Sequence, residues 1–203
     1  MINKRYCDDQ SWFRCIRDGW GDPHLVAYPQ RSDKELTRAP VVTMGTNKDV
    51  VCMAHVDMLE TWTGDPGMIL YTDGSKNSSA GKASVAWVFF KGGMAGAPYD
   101  ISVPPSSSIV ECELFEMLGG LRSLPITYTG TVAVYSDCVP ALWMMDAMKP
   151  LGDSAGLWDM FVPELNRFKS VSMSWVPGHR GIRGNEVAAI AARRAITPLE
   201  TWK

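Results

Sequence analysis

Apolar and polar positions follow two regimes along the chain. Over residues 1–67 no helical or strand period is sustained, and the stretch "GWGDPHLVAYPQRSDKELTRAPVV" mixes glycine, proline and charge. Only a short helix over Asp9–Asp18 and a strand at Val50–Ala54 are predicted there. The cluster "TGDPG" at Thr63–Gly67 has turn chemistry and marks a boundary. From Met68 the pattern sharpens. "MILYTDG" is an apolar run ending in Thr72, Asp73 and Gly74, and "ASVAWVFF" at Ala83–Phe90 is a second buried strand. Further strands are predicted near Tyr99–Val103, at Gly130–Asp137 and at Ser170–Val176. Residues 109–124 predict a helix, because Val110, Leu114, Met117, Leu118 and Leu121 share one face. Helices are also expected over Val139–Met148, Gly156–Phe168 and Asn185–Ala195. The order β-β-β-α-β-α-α-β-α predicts an α/β fold: a mixed five-stranded sheet flanked by helices, preceded by an irregular N-terminal extension. The expected division is an extension or connection over 1–67 and a folded domain over 68–203.

Composition narrows the function classes. The 203 residues suffice for one sizeable core. The polar start "MINKRYCDDQ" is not a secretory leader, and no apolar run reaches spanning length, so a membrane partner is not expected. Cys7, Cys15, Cys52, Cys112 and Cys138 are odd in number and irregular in spacing, which points to reduced, intracellular thiols. Residues 1–67 carry 8 Lys/Arg against 10 Asp/Glu, and residues 68–203 carry 12 of each. Neither part is the basic block of a stand-alone nucleic-acid binder.

Candidate chemistry lies in the acids. Asp73 and Asp137 both close strands, and in α/β sheets sites form beyond the carboxyl ends of strands. An Asp in that position also caps turns and helices, a reading that suits one such residue better than two. The first helix of the domain offers Glu111, Glu113 and Glu116. Helical spacing turns Glu116 away from the apolar face and leaves Glu111 and Glu113 flanking it, without choosing between them. Three converging carboxylates repel one another and remain ionised together when divalent cations sit between them. Oxygen-only ligands suit Mg²⁺ or Mn²⁺.

Four blocks, "LYTDGS", "ECELFEMLGGL", "VYSDC" and "WVPGHRGIRGNEVAAIAARRA", occur in the order found in one family. Residues 68–203 resemble the ribonuclease H domain, most of all those carried by retroelement reverse transcriptases. The resemblance implies a ribonuclease H-like fold and an endonuclease that cuts the RNA strand of an RNA–DNA hybrid with two Mg²⁺ ions, Mn²⁺ being a substitute. It implies Asp73, Glu113 and Asp137 as metal-binding and catalytic acids, so that Glu113 rather than Glu111 is the helix glutamate. It implies His179 as the histidine of a mobile loop, aiding proton transfer and product release, with Gly178, Gly181 and Gly184 letting that loop move. Gly74, Ser75, Asn185 and Glu186 fall on the implied substrate-binding surface. The implied partners are the hybrid and a fused or associated reverse transcriptase.

The chain departs from the family at one acid. The position after "GNE-x-A", where the family carries a fourth metal ligand, is Ala189. Glu186, three residues earlier, faces a similar side of the helix. The stretch "MKPLGDSAGLW" replaces the basic protrusion of many cellular enzymes and holds only Lys149, which predicts weak, salt-sensitive hybrid binding. These departures keep a second reading open, a non-cutting ribonuclease H-like scaffold. A zinc site from Cys7, Cys15, Cys52 and His55 matches no familiar spacing. Trp87 and Trp175 are read as core rather than as base-stacking surfaces, and Arg193 and Arg194 as a solvated helix end.

Overall fold

The computed structural model describes residues 36–37, 39–61, 67–91, 93–148 and 155–197. The elements, in chain order, are β1 (Val41–Thr43), α1 (Lys48–Thr61), β2 (Met68–Asn77), β3 (Lys82–Lys91), β4 (Met94–Ala95), β5 (Tyr99–Val103), α2 (Ile109–Ser123), β6 (Thr131–Ser136), α3 (Val139–Ala147), α4 (Ala155–Arg167), β7 (Ser170–Trp175) and α5 (Arg183–Ile196). The strands form one mixed sheet in the order β1-β7-β6-β2-β3-β4, with β5 also paired to β3. β2, β6, β7 and β1 are parallel neighbours, whereas β3 runs antiparallel to β2. The five strands expected from Met68 onward all form. β1 and β4 extend the sheet at its two ends.

Side-chain alternation along β2 and β3 builds two cores. Leu70, Val85 and Trp87 face a layer of α2, α3 and α4 that includes Leu114, Leu118, Leu142 and Phe161. Ile69, Tyr71, Val88 and Phe90 face the other way, towards Val176, Ile182 and Ala188. α5 lies across β2 and β3 on this second face, where Ser84 Oγ donates to the Ala192 carbonyl. α2 lies close on the first face. A side chain at Gly120 would meet the Leu70 methyls at 2.6–2.7 Å, so the helix can approach the strand only because that position is bare.

Two expectations need correction. Val50–Ala54 is not a strand but part of α1. The run "VVCMA" is apolar enough for either state, and the start signal decides: the Asn47 side chain accepts from the backbone N–H groups of Asp49 and Val50, at 3.0 and 3.2 Å. The second correction concerns Glu116, which is fully buried rather than turned outward. Every residue of α2 from Cys112 to Arg122 is buried, so this helix has no solvent face over that span. The helix expected over Asp9–Asp18 lies outside the described residues.

α1 joins the second core. His55 Nε2 and Tyr71 Oη share a hydrogen bond of 2.7 Å, and the His55 ring meets Tyr71 and Tyr135 edge-on. At the exposed end of the helix, Asp49 pairs with Arg180 at 3.6 Å. Trp87 is fully buried as expected, and Trp175 is half-buried against the first core.

Candidate metal centre

Asp73 stands on β2, Asp137 follows β6, and these strands are parallel neighbours, so both acids emerge at the same end of the sheet. Glu113 reaches them from α2. One carboxylate oxygen from each of Asp73, Glu113 and Asp137 lies within 4.8 Å of the others. Local contacts hold each acid. α2 starts with a capping box in which Ser108 N–H donates to Glu111 Oε2 at 2.6 Å and Glu111 N–H donates to Ser108 Oγ at 3.2 Å. Glu111 is thus engaged at the helix start, while Glu113, two residues on, turns inward. Trp175 Nε1–H donates to the Asp137 carbonyl at 3.2 Å. Gly178 abuts the same residue, and a Cβ there would overlap Asp137 Oδ2.

The electrostatics fit crowding. Burial first, then the charges of Asp137 and Glu113, push the Asp73 carboxyl up to about 8; Arg193 and the Gly74 N–H oppose the shift. Burial, reinforced by Asp137, pushes Glu113 up to about 7, against the pull of Glu116, the Gly74 N–H and Ser136. Burial also raises Asp137, with Asn185 and His179 opposing and Glu186 adding repulsion. Acids held above their ordinary range are short of positive charge. Glu113 Oε2 is buried without a hydrogen-bond partner. Three carboxylates of this kind, with no thiol or imidazole among them, fit a hard divalent cation.

The other expected residues surround this group unevenly. Gly74 and Ser75 continue β2 just beyond Asp73 and are half-buried. Asn185 is 1% exposed on α5, and its amide lies near enough to Asp137 to lower that acid. Glu186 accepts from the Gly181 N–H at 3.3 Å, so its carboxylate ties down the loop before α5. His179 is exposed on that loop, with a left-handed backbone at φ 56°. Ala189 is buried on α5 and offers no ligand atom.

Two contributors escaped the sequence reading. Arg193, exposed at the end of α5, sends enough positive charge to Asp73 to lower it, although its sequence position resembles any solvated helix end. Glu116 is the other: burial, then the charges of Glu113 and Asp73, push its carboxyl well above the ordinary range, while it in turn pulls Glu113 down. The spacing of Glu113 and Glu116, one turn apart, was the available signal for it.

No curated protein sequence matches the chain. A model of the RNase H family matches residues 65–197, a span that takes in all three converging acids, the histidine loop and α5. With most of its length matched and the mixed α/β sheet in place, the chain belongs to the RNase H family.

Proposed function

We propose that this chain hydrolyses the RNA strand of RNA–DNA hybrids endonucleolytically, using divalent cations held by Asp73, Glu113 and Asp137. The observation that carries the reading is the convergence of these three carboxylates within 4.8 Å. Mg²⁺ is the cation the oxygen-only set suits best, with Mn²⁺ as a substitute. Such ions, when bound, lower the pKa of a water and stabilise a leaving oxygen. The chain's own residues do the rest. The three acids fix the cations at the strand ends. Gly74, Ser75 and Glu186 line the approach for the hybrid, whereas Asn185, buried on α5, acts instead by steadying Asp137. His179, exposed on its loop, handles a proton and helps product leave.

The retroelement origin and the partnership with a reverse transcriptase belong to the same proposal. They are supported by the motif resemblance and by the even charge of residues 68–203, which leaves hybrid binding weak without an attached polymerase. The division at Gly67 belongs to the same proposal, with β1 and α1 read as a connecting segment; the start of the family match at residue 65 supports it.

Ala189 favours a second reading, a scaffold that binds without cutting, because its side chain supplies no ligand. We take it instead as an impaired enzyme. Labelled hybrid and duplex DNA incubated with Mg²⁺ or Mn²⁺ separate the two. The present chain should cut hybrid RNA slowly, and Ala189→Asp should raise the rate roughly 10²–10³-fold, the effect of restoring one transition-state contact. No cleavage by either chain would leave only the scaffold.

A further inference from the structure

Glu116 has no task in the mechanism above. It is fully buried on α2, one turn after Glu113, and neither carboxyl oxygen makes a well-formed hydrogen bond; Thr72 and Glu113 are the polar side chains close enough to act on it. Among the described residues no salt bridge reaches it. A glutamate kept for packing alone would cap a helix, pair with a cation or reach water, since burying an uncompensated carboxyl is costly. Glu116 does none of these.

Its carboxyl has a definite aim. A Cβ built on Gly74 would lie 3.3 Å from Glu116 Oε2 and 3.5 Å from Glu113 Oε1. Two glutamates of α2 therefore meet over one bare residue of β2, directly after Asp73. The missing side chain at Gly74 is what makes room for them.

We propose that Glu116 adds a fourth carboxylate to the cation site, standing behind Asp73 and Glu113, so that the site keeps four acids although position 189 is alanine. The inference rests on the reading of Asp73, Glu113 and Asp137 as cation-holding residues. Glu116 lies outside the trio whose oxygens approach within 4.8 Å. It acts as a positioning residue, fixing the Glu113 side chain from the rear.

The test is Mn²⁺ binding to the full chain, followed by calorimetry at constant pH, beside Glu116→Gln, Glu116→Asp and Asp73→Asn. Glu116→Gln should weaken Mn²⁺ affinity about tenfold or more, as for removal of a group that supports a metal ligand. Glu116→Asp should recover part of the loss, and the cation-free melting temperature of Glu116→Gln should stay level or rise. Unchanged affinity in Glu116→Gln, with binding lost in Asp73→Asn, overturns the role of Glu116 and leaves the three-acid site standing. Absence of Mn²⁺ binding by the unaltered chain, or equal binding by Asp73→Asn, overturns both. If Glu116→Gln does not fold, Glu116→Asp decides, and full affinity there also overturns the proposal.

Discussion

Tyr71 and Asp73 stand two residues apart on β2 and so face the same side of the sheet, yet their surroundings are opposite. Around Tyr71 the polar atoms are paired: its hydroxyl bonds His55, and its ring stacks on Tyr135 with centroids 5.2 Å apart. Around Asp73, acids press on one another, and Glu113 and Glu116 keep buried oxygens without a well-formed hydrogen bond. Buried polar groups in folded proteins are almost always satisfied. The Tyr71 cluster follows that rule and stabilises the sheet. The Asp73 cluster breaks it, at the cost of stability, in the way expected where a ligand completes the site. The contrast separates a structural use of burial from a functional one within a single strand.

The contrast is broken most directly at the acids. In the Ala189→Asp background, Asp73→Asn should reduce cation-dependent cleavage of hybrid by at least about 10²–10³-fold. Its cation-free melting temperature should not fall. A large loss of stability together with activity would mean that Asp73 also holds the fold.

Changes at the other cluster should do the reverse. His55→Ala leaves the Tyr71 hydroxyl unpaired and opens a cavity, so chemical denaturation should show a loss of about 2–4 kcal/mol. Cation affinity should change little. If affinity collapsed instead, the two clusters would be coupled rather than separate.

The pH dependence of stability sharpens the comparison, because the two clusters carry opposite slopes. Burial pulls His55 from 6.5 down to about 4, so folding favours the neutral ring. Its contribution is complete above pH 6.5 and is lost as pH falls towards 4. Asp73 is raised from 3.8 to about 8, so the native state holds its proton more tightly than the unfolded chain. Its contribution is complete below pH 4 and is lost as pH rises towards 8. Between 4 and 6.5 the slopes oppose. From 6.5 to 8 the acids act alone, and the cation-free melting temperature should decline. Added Mg²⁺, or Asp73→Asn, should flatten that decline. A flat cation-free profile over this range would remove the electrostatic half of the argument.

The smallest expected effect comes from the start of α2. Ser108→Ala removes half of the capping box and should cost about 1 kcal/mol in a melting experiment. Cation affinity should hold, since Glu111 acts at the helix end and not at the site.

How much of this was legible in the sequence depended on how each element is stabilised. β2, β3, β5, β6 and β7 could be read directly, because each carries a run long enough to show its pattern and turn residues close it. Asp73 and Asp137 were legible for the same reason: polar residues that end apolar strands stand out. β1 and β4, of three and two residues, are too short to carry a period. α1 was misread because its apolar residues do not mark a buried face; Val50, Met53 and Val56 are exposed, and the helix is fixed by an Asn47 cap and by His55. Helical spacing could not choose among the three glutamates of α2; the family resemblance pointed to Glu113, and the contacts that explain the choice are tertiary. A helix enclosed on all sides gives no amphipathic contrast, and only the contacts of Glu111 and the burial of Glu116 separate their roles.

The three residues of β1 also bear on solubility. β7 would end the parallel side of the sheet without them, offering six residues of unpaired backbone to any passing strand. An open strand edge of that length is a template for association between chains. β1 covers half of β7, pairing Val41, Val42 and Thr43 with Ser172, Met173 and Ser174, and is itself too short to recruit another strand. A chain cut back to the family match at residue 65 would keep all three converging acids and lose this cover. Its hazard would be aggregation in storage and during refolding, a failure that an activity assay on fresh protein would not reveal.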